Sequence, residues 1–365
     1  MRPRPRPPPD VRVVCGGTPG VRGVVYQGPR RVEVRADLPE PAVTGPRDAV
    51  LRVTCAAICG TDLHPYRGEI PGFGPGTVLG HEFVGVVEEA GPEVPFAAGQ
   101  RVLASDVVAC GRCAACARGW HYQCPHVSLF GYSNVVGQAL PGGQADYVRV
   151  PYADVVLCEC PDGLADEQVL FAGDVLTTGY TAALRADVTP GDVVAVIGAG
   201  AVGLFAGLCA TLVGAAAVVV ADGDERRRAA AEALSLTAVP PAELVPTVRR
   251  LSGGRGAAAV VEAVGSDAAL ACALEAAAPR ATIAVAGAHH SHAMPFSTGT
   301  AFARELTIRF VVGDPIRSRE EVLSLVRAGR VDPTRVISHR LPLDRAAEGY
   351  RLFDERLATK VVLTP

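Results

Sequence analysis

A chain of 365 residues that is 49% hydrophobic, 20% charged and 5% aromatic reads as a globular protein, with room for two domains at roughly 150 residues each. Its 35 basic and 38 acidic residues leave a formal net charge of −3, so no global field draws it to nucleic acid, and no apolar run reaches the ~18 residues of a membrane span. All basic residues but Lys360 are arginine, which reads as compositional bias rather than as a functional signal.

Residues 1–9 carry charge and proline without an apolar stretch, so they do not form a secretory signal, and a disordered Pro/Arg-rich tail is predicted over 1–20, a basic docking arm being the other reading. Short β-rich runs follow at 24–26, 31–34, 49–53, 83–88, 101–104 and 145–150, punctuated by Gly and Pro. Strands spaced in this way predict a barrel-like β domain. Within it lie Cys59, in Ile-Cys-Gly-Thr-Asp-Leu-His, and His81, in Gly-His-Glu. Next comes Cys110-x2-Cys113-x2-Cys116-x7-Cys124, four thiols close enough in sequence to close a tetrahedral shell. Such a shell leaves no open position and therefore predicts a structural zinc site, with His121 and His126 left as surface residues. A cysteine cluster in a chain of this length also points to metal ligation before disulfides, and so to the cytoplasm.

The texture changes near Asp174. Apolar runs at 193–197, 217–221, 258–262, 282–286 and 307–312 alternate with Ala-rich helical stretches, the pattern of a parallel sheet covered on both faces. The domains are accordingly expected at 21–173, completed by 314–365, and at 174–313. Cys59, His81 and Asp174 offer one thiolate, one imidazole and one carboxylate, which are three zinc ligands with a fourth position open for water or a substrate oxygen. The run 193–203 is a strand leading into Gly198-x-Gly200-x-x-Gly203, whose glycines permit a tight turn and close approach of a pyrophosphate to a helix N-terminus. Asp222 ends the next strand, at the offset where an acid holds adenosine ribose hydroxyls, and a carboxylate there favours NAD over NADP. Arg226, Arg227 and Arg228 weigh the other way, unless they form an exposed helix face.

Taken together, the Gly80-His81-Glu82 box, the four-cysteine lobe, the nucleotide fingerprint and their order resemble the zinc-dependent medium-chain alcohol dehydrogenase family over 21–365. The segments 59–68, 129–132, 142–151 and 173–180 look most like the branch related to glutathione-independent formaldehyde dehydrogenase. The resemblance implies an α/β protein, with a GroES-like β-barrel catalytic domain around a Rossmann domain and two zinc ions per chain. It implies that Cys59, His81 and Asp174 hold the catalytic zinc, with Glu82 beside them at the metal and Asp62 orienting His81. Thr61 would pass the substrate proton through the cofactor ribose to His64. Gly198, Gly200 and Gly203 would cradle the pyrophosphate, Asp222 and Arg227 would contact the ribose, and Lys360 would reach the phosphates.

One departure concerns the substrate. Asp106 stands four residues before the first lobe cysteine, where related sequences usually carry an aromatic or apolar residue; facing inward it would favour a polar or cationic alcohol, and turned outward it would merely cap a loop. The remaining cleft wall is expected from Leu63, Tyr66, Phe73, Phe130 and Tyr132, which could equally be plain packing. The activity expected is hydride transfer between NAD and an alcohol or its carbonyl partner. An aldehyde dismutase that retains NAD, an NADPH-dependent carbonyl reductase and a non-catalytic zinc protein are the other readings. A homodimer or homotetramer joined through the edge at 301–312 is expected, with no nucleic-acid or membrane partner. No role follows from the sequence for Cys15, Cys55, Cys158, Cys160, Cys209 and Cys272.

Overall fold

The structure, a computed structural model, describes residues 20–289 and 297–365. The tail and Cys15 lie outside the described residues, except for Gly20. Largely buried, near-continuous apolar runs within 49–58 and 82–90 produce the two longest strands of the first sheet, Ala49–Ile58 and Glu82–Ala90, which pair antiparallel. Arg101–Ala104 and Leu157–Glu159 extend the sheet on one side. On the other side the C-terminal strand Val361–Thr364 pairs with the end of Ala49–Ile58, Val361 facing Ile58, and His339–Pro342 completes that edge. The C-terminal segment thus returns to the end of the strand that leads into Cys59.

The second sheet is wholly parallel. Its spatial order is Thr237–Val239, Ala217–Ala221, Val193–Ile197, Ala257–Glu262, Ala277–Val285, Thr307–Phe310, so the chain reverses direction across the sheet beside Val193–Ile197. That crevice, outside the carboxyl ends of the strands, is where doubly wound folds take their ligands. The strand Thr237–Val239, only three residues long, carries too short an apolar run to stand out in the sequence.

A continuous apolar core joins the two sheets. Helix Val175–Arg185 crosses helix Ala201–Val213 so closely that a Cβ on Gly179 would come within 2.7 Å of the Ala206 backbone nitrogen. Phe171 and Phe205 meet in the same core, ring centroids 6.0 Å apart. The buried Arg319, on helix Pro315–Arg327, reaches across to the first sheet, where its guanidinium donates to the carbonyls of Val155, Val156 and Leu157 and to Ser105 Oγ at 2.6–2.8 Å. No helix among the described residues is long and apolar enough to cross a membrane.

Candidate active site and metal centres

Cys59 lies where the strand Ala49–Ile58 ends and helix Gly60–Tyr66 begins. The first turn of that helix brings Asp62 back beneath it, and Asp62 Oδ2 accepts the Cys59 N–H at 2.9 Å. His81 follows Gly80, whose φ of +99° and close approach to Gln144, with a Cβ falling 2.8 Å from its backbone nitrogen, require glycine. Asp174 stands at the N-terminus of helix Val175–Arg185, on the other side. Three elements distant in sequence thus bring Cys59 Sγ to 3.3 Å and His81 Nε2 to 3.4 Å from Asp174 Oδ2, and all three side chains are buried.

The ligand atoms of Cys59, His81 and Asp174 lie within 4.8 Å of one another. Burial, reinforced by the charge of Asp174, pushes the Cys59 thiol up to about 11. Burial also disfavours a charged His81, yet Asp62 and Cys59 outweigh it and hold that imidazole well above its ordinary range. Both departures show a buried donor cluster short of positive charge, and a sulfur, nitrogen and oxygen set of this size fits zinc with one position open. His81 Nδ1 faces Asp62 Oδ1 at 3.2 Å, the arrangement that fixes the ring when Nε2 binds a metal. Behind Asp62 the series continues: Gln144 Nε2 donates to Asp62 Oδ2 at 3.3 Å and to the Ala57 carbonyl at 3.0 Å, and the Tyr350 hydroxyl donates to Gln144 Oε1 at 2.9 Å. Gln144 and Tyr350 escaped the sequence reading because nothing local marks them; they meet the site across 82 and 206 residues.

Two of the expected site residues pair with each other. Glu82 turns its Oε2 to the Lys360 ammonium, and the fully buried pair lies behind the ligand set rather than within it. Lys360 is thereby engaged with Glu82, its Nζ 5.4 Å from the centre of the Phe171 ring, and it also borders the cleft. The reason is electrostatic, because a carboxylate with no solvent exposure needs a countercharge and Lys360 is the one beside it.

In the lobe, Cys113 Sγ lies 3.5 Å from Cys116 Sγ and 3.9 Å from Cys124 Sγ, and Cys124 Sγ lies 3.6 Å from Cys110 Sγ. Backbone N–H groups of Cys110, Cys116 and His126 point at these sulfurs, and the Cys116 N–H, foremost, lowers the Cys113 thiol to about 7. Such a set of four fits a closed tetrahedral zinc shell. His126 is exposed, as expected, whereas His121 is buried, with its backbone N–H 3.1 Å from Asp314 Oδ2 and its Nδ1 2.8 Å from Asp314 Oδ1.

At the nucleotide fingerprint, Gly198 turns with φ +100° and Gly200 caps helix Ala201–Val213. A Cβ on Gly203 would fall 1.9 Å from the Gly198 carbonyl oxygen, whereas nothing lies within 4 Å of one on Gly200. Asp222 follows the strand Ala217–Ala221 and accepts the N–H groups of Ala199 and Asp224 at 2.8 and 2.9 Å. The three arginines separate: Arg226 pairs with its own helix cap Asp224, Arg228 donates to the carbonyls of Asp222 and Gly223, and Arg227 stands 3.9 Å from Asp222.

The fingerprint and the ligand set share one cleft of about 530 Å³, bordered by Gly198, Gly200, Arg227, Thr61, His64 and the three ligands. His64 Nδ1 lies 2.6 Å from Glu69 Oε2, and the side chain retains 21% exposure at the cleft mouth. Asp106 faces inward: it borders the cleft, 5% exposed, and accepts the Tyr122 hydroxyl. Burial, and then the charge of Asp174, push its carboxyl well above the ordinary range, a demand that a donor or cation in the cleft would relieve. Of the expected wall residues, Leu63 borders the cleft, joined by Leu129. Phe130 is instead a core residue packed edge-on against Phe83 at 5.0 Å, and Tyr66, Phe73 and Tyr132 belong to an aromatic cluster outside the cleft lining.

A β domain and a doubly wound domain meeting over a buried thiol, imidazole and carboxylate define a zinc-type dehydrogenase. Residues 45–162 match the alcohol dehydrogenase GroES-like domain and residues 201–328 the zinc-binding dehydrogenase domain. A probable zinc-binding alcohol dehydrogenase of Mycobacterium tuberculosis is 39% identical over 90% of this chain and 84% of its own length. The glutathione-independent formaldehyde dehydrogenase of Pseudomonas aeruginosa is 40% identical over 58% of this chain and 57% of its own. The solved structure of the alcohol dehydrogenase TADH from Thermus sp. ATN1 superposes with a TM-score of 0.89 at 38% identity, covering 94% of this chain and 99% of that one. The chain belongs to the zinc-type medium-chain alcohol dehydrogenase family.

Proposed function

We propose that the protein is an NAD-dependent dehydrogenase carrying two zinc ions per chain, which moves a hydride between a polar or cationic alcohol and its aldehyde or ketone. The observation that carries this reading is the single cleft shared by the Cys59, His81 and Asp174 set and the Gly198-x-Gly200 turn. Zinc held by those three residues supplies Lewis acidity that lowers the pKa of an alcohol or polarises a carbonyl. The residues of this chain do the rest. Asp62 orients His81, Thr61 borders the cleft where a substrate hydroxyl proton leaves, and His64 stands at the mouth to pass that proton to water. Gly200 at the helix N-terminus leaves room for a pyrophosphate, and Asp222 is placed for ribose hydroxyls.

Arg227 supports a second reading, an NADPH-dependent carbonyl reductase. Its Nε is buried without a partner, and a 2′-phosphate would meet it beside Asp222. Elemental analysis and the mass of acid-released nucleotide on the purified protein test these readings together. Two zinc ions, no retained nucleotide and turnover with added NAD are expected. One zinc would remove the proposed catalytic centre, activity with NADPH alone would favour the reductase, and tightly held NAD with turnover that needs no added NAD would favour a dismutase.

We further infer a cytoplasmic protein, since a four-thiol metal site suits a reducing compartment, and a homodimer or homotetramer. Thr307–Phe310 is the edge strand of the parallel sheet, and Phe302, Phe310 and Val312 stand exposed near it at 87%, 59% and 59%. Light scattering after size exclusion should give a mass of two or four chains; a monomer at micromolar concentration would refute the assembly.

A further inference from the structure

One polar pair in the cleft has no part in holding zinc or nucleotide. The backbone N–H of Asp106 donates to the Gly173 carbonyl at 3.0 Å, which fixes Asp106 next to Asp174. Its Oδ2 accepts the hydroxyl of Tyr122, while its Oδ1 is sealed from solvent and has no partner. Tyr122 is carried by the four-cysteine lobe, two residues before Cys124, so the lobe delivers a phenol to the same cleft as Cys59, His81 and Asp174. A buried carboxylate oxygen without a donor is costly, on the order of 1–3 kcal/mol or more. Nearly all such groups in folded proteins are matched, which makes an exception on a residue that borders a binding cleft informative.

The chemistry of the pair is one-sided. Tyr122 has a single proton, and it is committed to Asp106 Oδ2. With Asp106 ionised, what remains for a ligand is the free Oδ1 and the lone pairs of the phenol oxygen, which are acceptors. Leu63 and Leu129, apolar residues bordering the same cleft, offer neither donor nor acceptor side chains. A substrate that filled this corner with a methyl group or a carbonyl oxygen would leave Oδ1 unpaired, whereas a hydroxyl or ammonium would satisfy it.

We infer that Asp106 and Tyr122 form a second substrate subsite beside the zinc ligands that takes a hydrogen-bond donor on the substrate, so that the preferred alcohols carry a second hydroxyl or an amino group near the reacting carbon. The inference rests on the dehydrogenase reading and narrows its substrate class from polar to donor-bearing. Sites built to bond a substrate hydroxyl or amine discriminate strongly against the analogue that lacks it, because their own buried groups are then left unpaired.

The test compares propan-1-ol with propane-1,2-diol, propane-1,3-diol and 3-aminopropan-1-ol on the full-length zinc-loaded protein. Two quantities are read: kcat/KM with NAD, and calorimetric affinity for each compound in the presence of NADH. A preference of about tenfold or more for at least one donor-bearing compound is expected, carried mainly by KM. Asp106→Asn should erase that preference. Tyr122→Phe, which keeps the ring and removes only the hydroxyl, should reduce it with zinc content unchanged and a lower melting temperature, since Asp106 Oδ2 loses its donor. The amino alcohol against the diols tells whether the donor is a cation or a hydroxyl. A wild-type preference below tenfold, or one that survives Asp106→Asn, would overturn the subsite. Turnover of propan-1-ol without the preference would sink only this inference. Absence of turnover with every alcohol and aldehyde would sink the dehydrogenase reading, and the calorimetric comparison would still decide the subsite.

Discussion

Asp62 divides its carboxylate between two groups of one site, Oδ2 toward the Cys59 backbone and Gln144, and Oδ1 toward His81 Nδ1. It is fully buried, so each of these contacts acts where water does not compete. Asp62→Asn keeps the shape and removes the charge that holds the imidazole in place. Zinc affinity at the Cys59 site should fall about 10–100-fold, read by chelator competition, while the lobe site keeps its zinc. Equal loss at both sites would mean general unfolding rather than lost orientation. The glycines permit a similar separation of causes. Gly203→Ala drives a Cβ into the Gly198 carbonyl and should lower both melting temperature and NAD binding, whereas Gly200→Ala meets open space. Its φ of −74° suits alanine, so Gly200→Ala should leave the melting temperature unchanged and still weaken NAD binding in calorimetry. Undiminished binding would place the pyrophosphate elsewhere.

At the scale of elements, the lobe 110–124 does more than hold a metal. His121 joins it to Asp314, the cap of helix Pro315–Arg327, and Tyr122 joins it to Asp106 in the cleft. Cys124→Ala should lower zinc content by one ion per chain and also reduce kcat/KM, although Cys124 touches no substrate; full activity with one zinc would show that the lobe is dispensable to the cleft. Sequence spacing made the four cysteines legible, since their ligation is local. Cys59, His81 and Asp174, dispersed along the chain, mean little singly and were legible through the family resemblance of the short segments that hold them. Gln144, Tyr350 and the inward face of Tyr122 were not legible, because their roles arise from contacts between elements that no periodicity encodes. Phe130 shows the converse: an apolar residue beside the cleft in sequence is turned to the core, and its neighbour Leu129 takes the wall.

For the whole molecule, the cleft exists only if the two sheets hold their relative position, and Arg319 ties helix Pro315–Arg327 to the first sheet at that junction. Its guanidinium serves three carbonyls around the strand Leu157–Glu159 and the hydroxyl of Ser105, the residue before Asp106. Hydrophobic contacts across the junction are non-directional, whereas these bonds fix orientation as well as distance. Arg319→Met preserves most of the buried volume and removes four hydrogen bonds, a cost of about 2–4 kcal/mol in urea unfolding. Because Ser105 precedes Asp106, selectivity among alcohols should change together with stability. An unfolding midpoint equal to that of the parent would show that the apolar core around Phe171 and Phe205 sets the junction by itself.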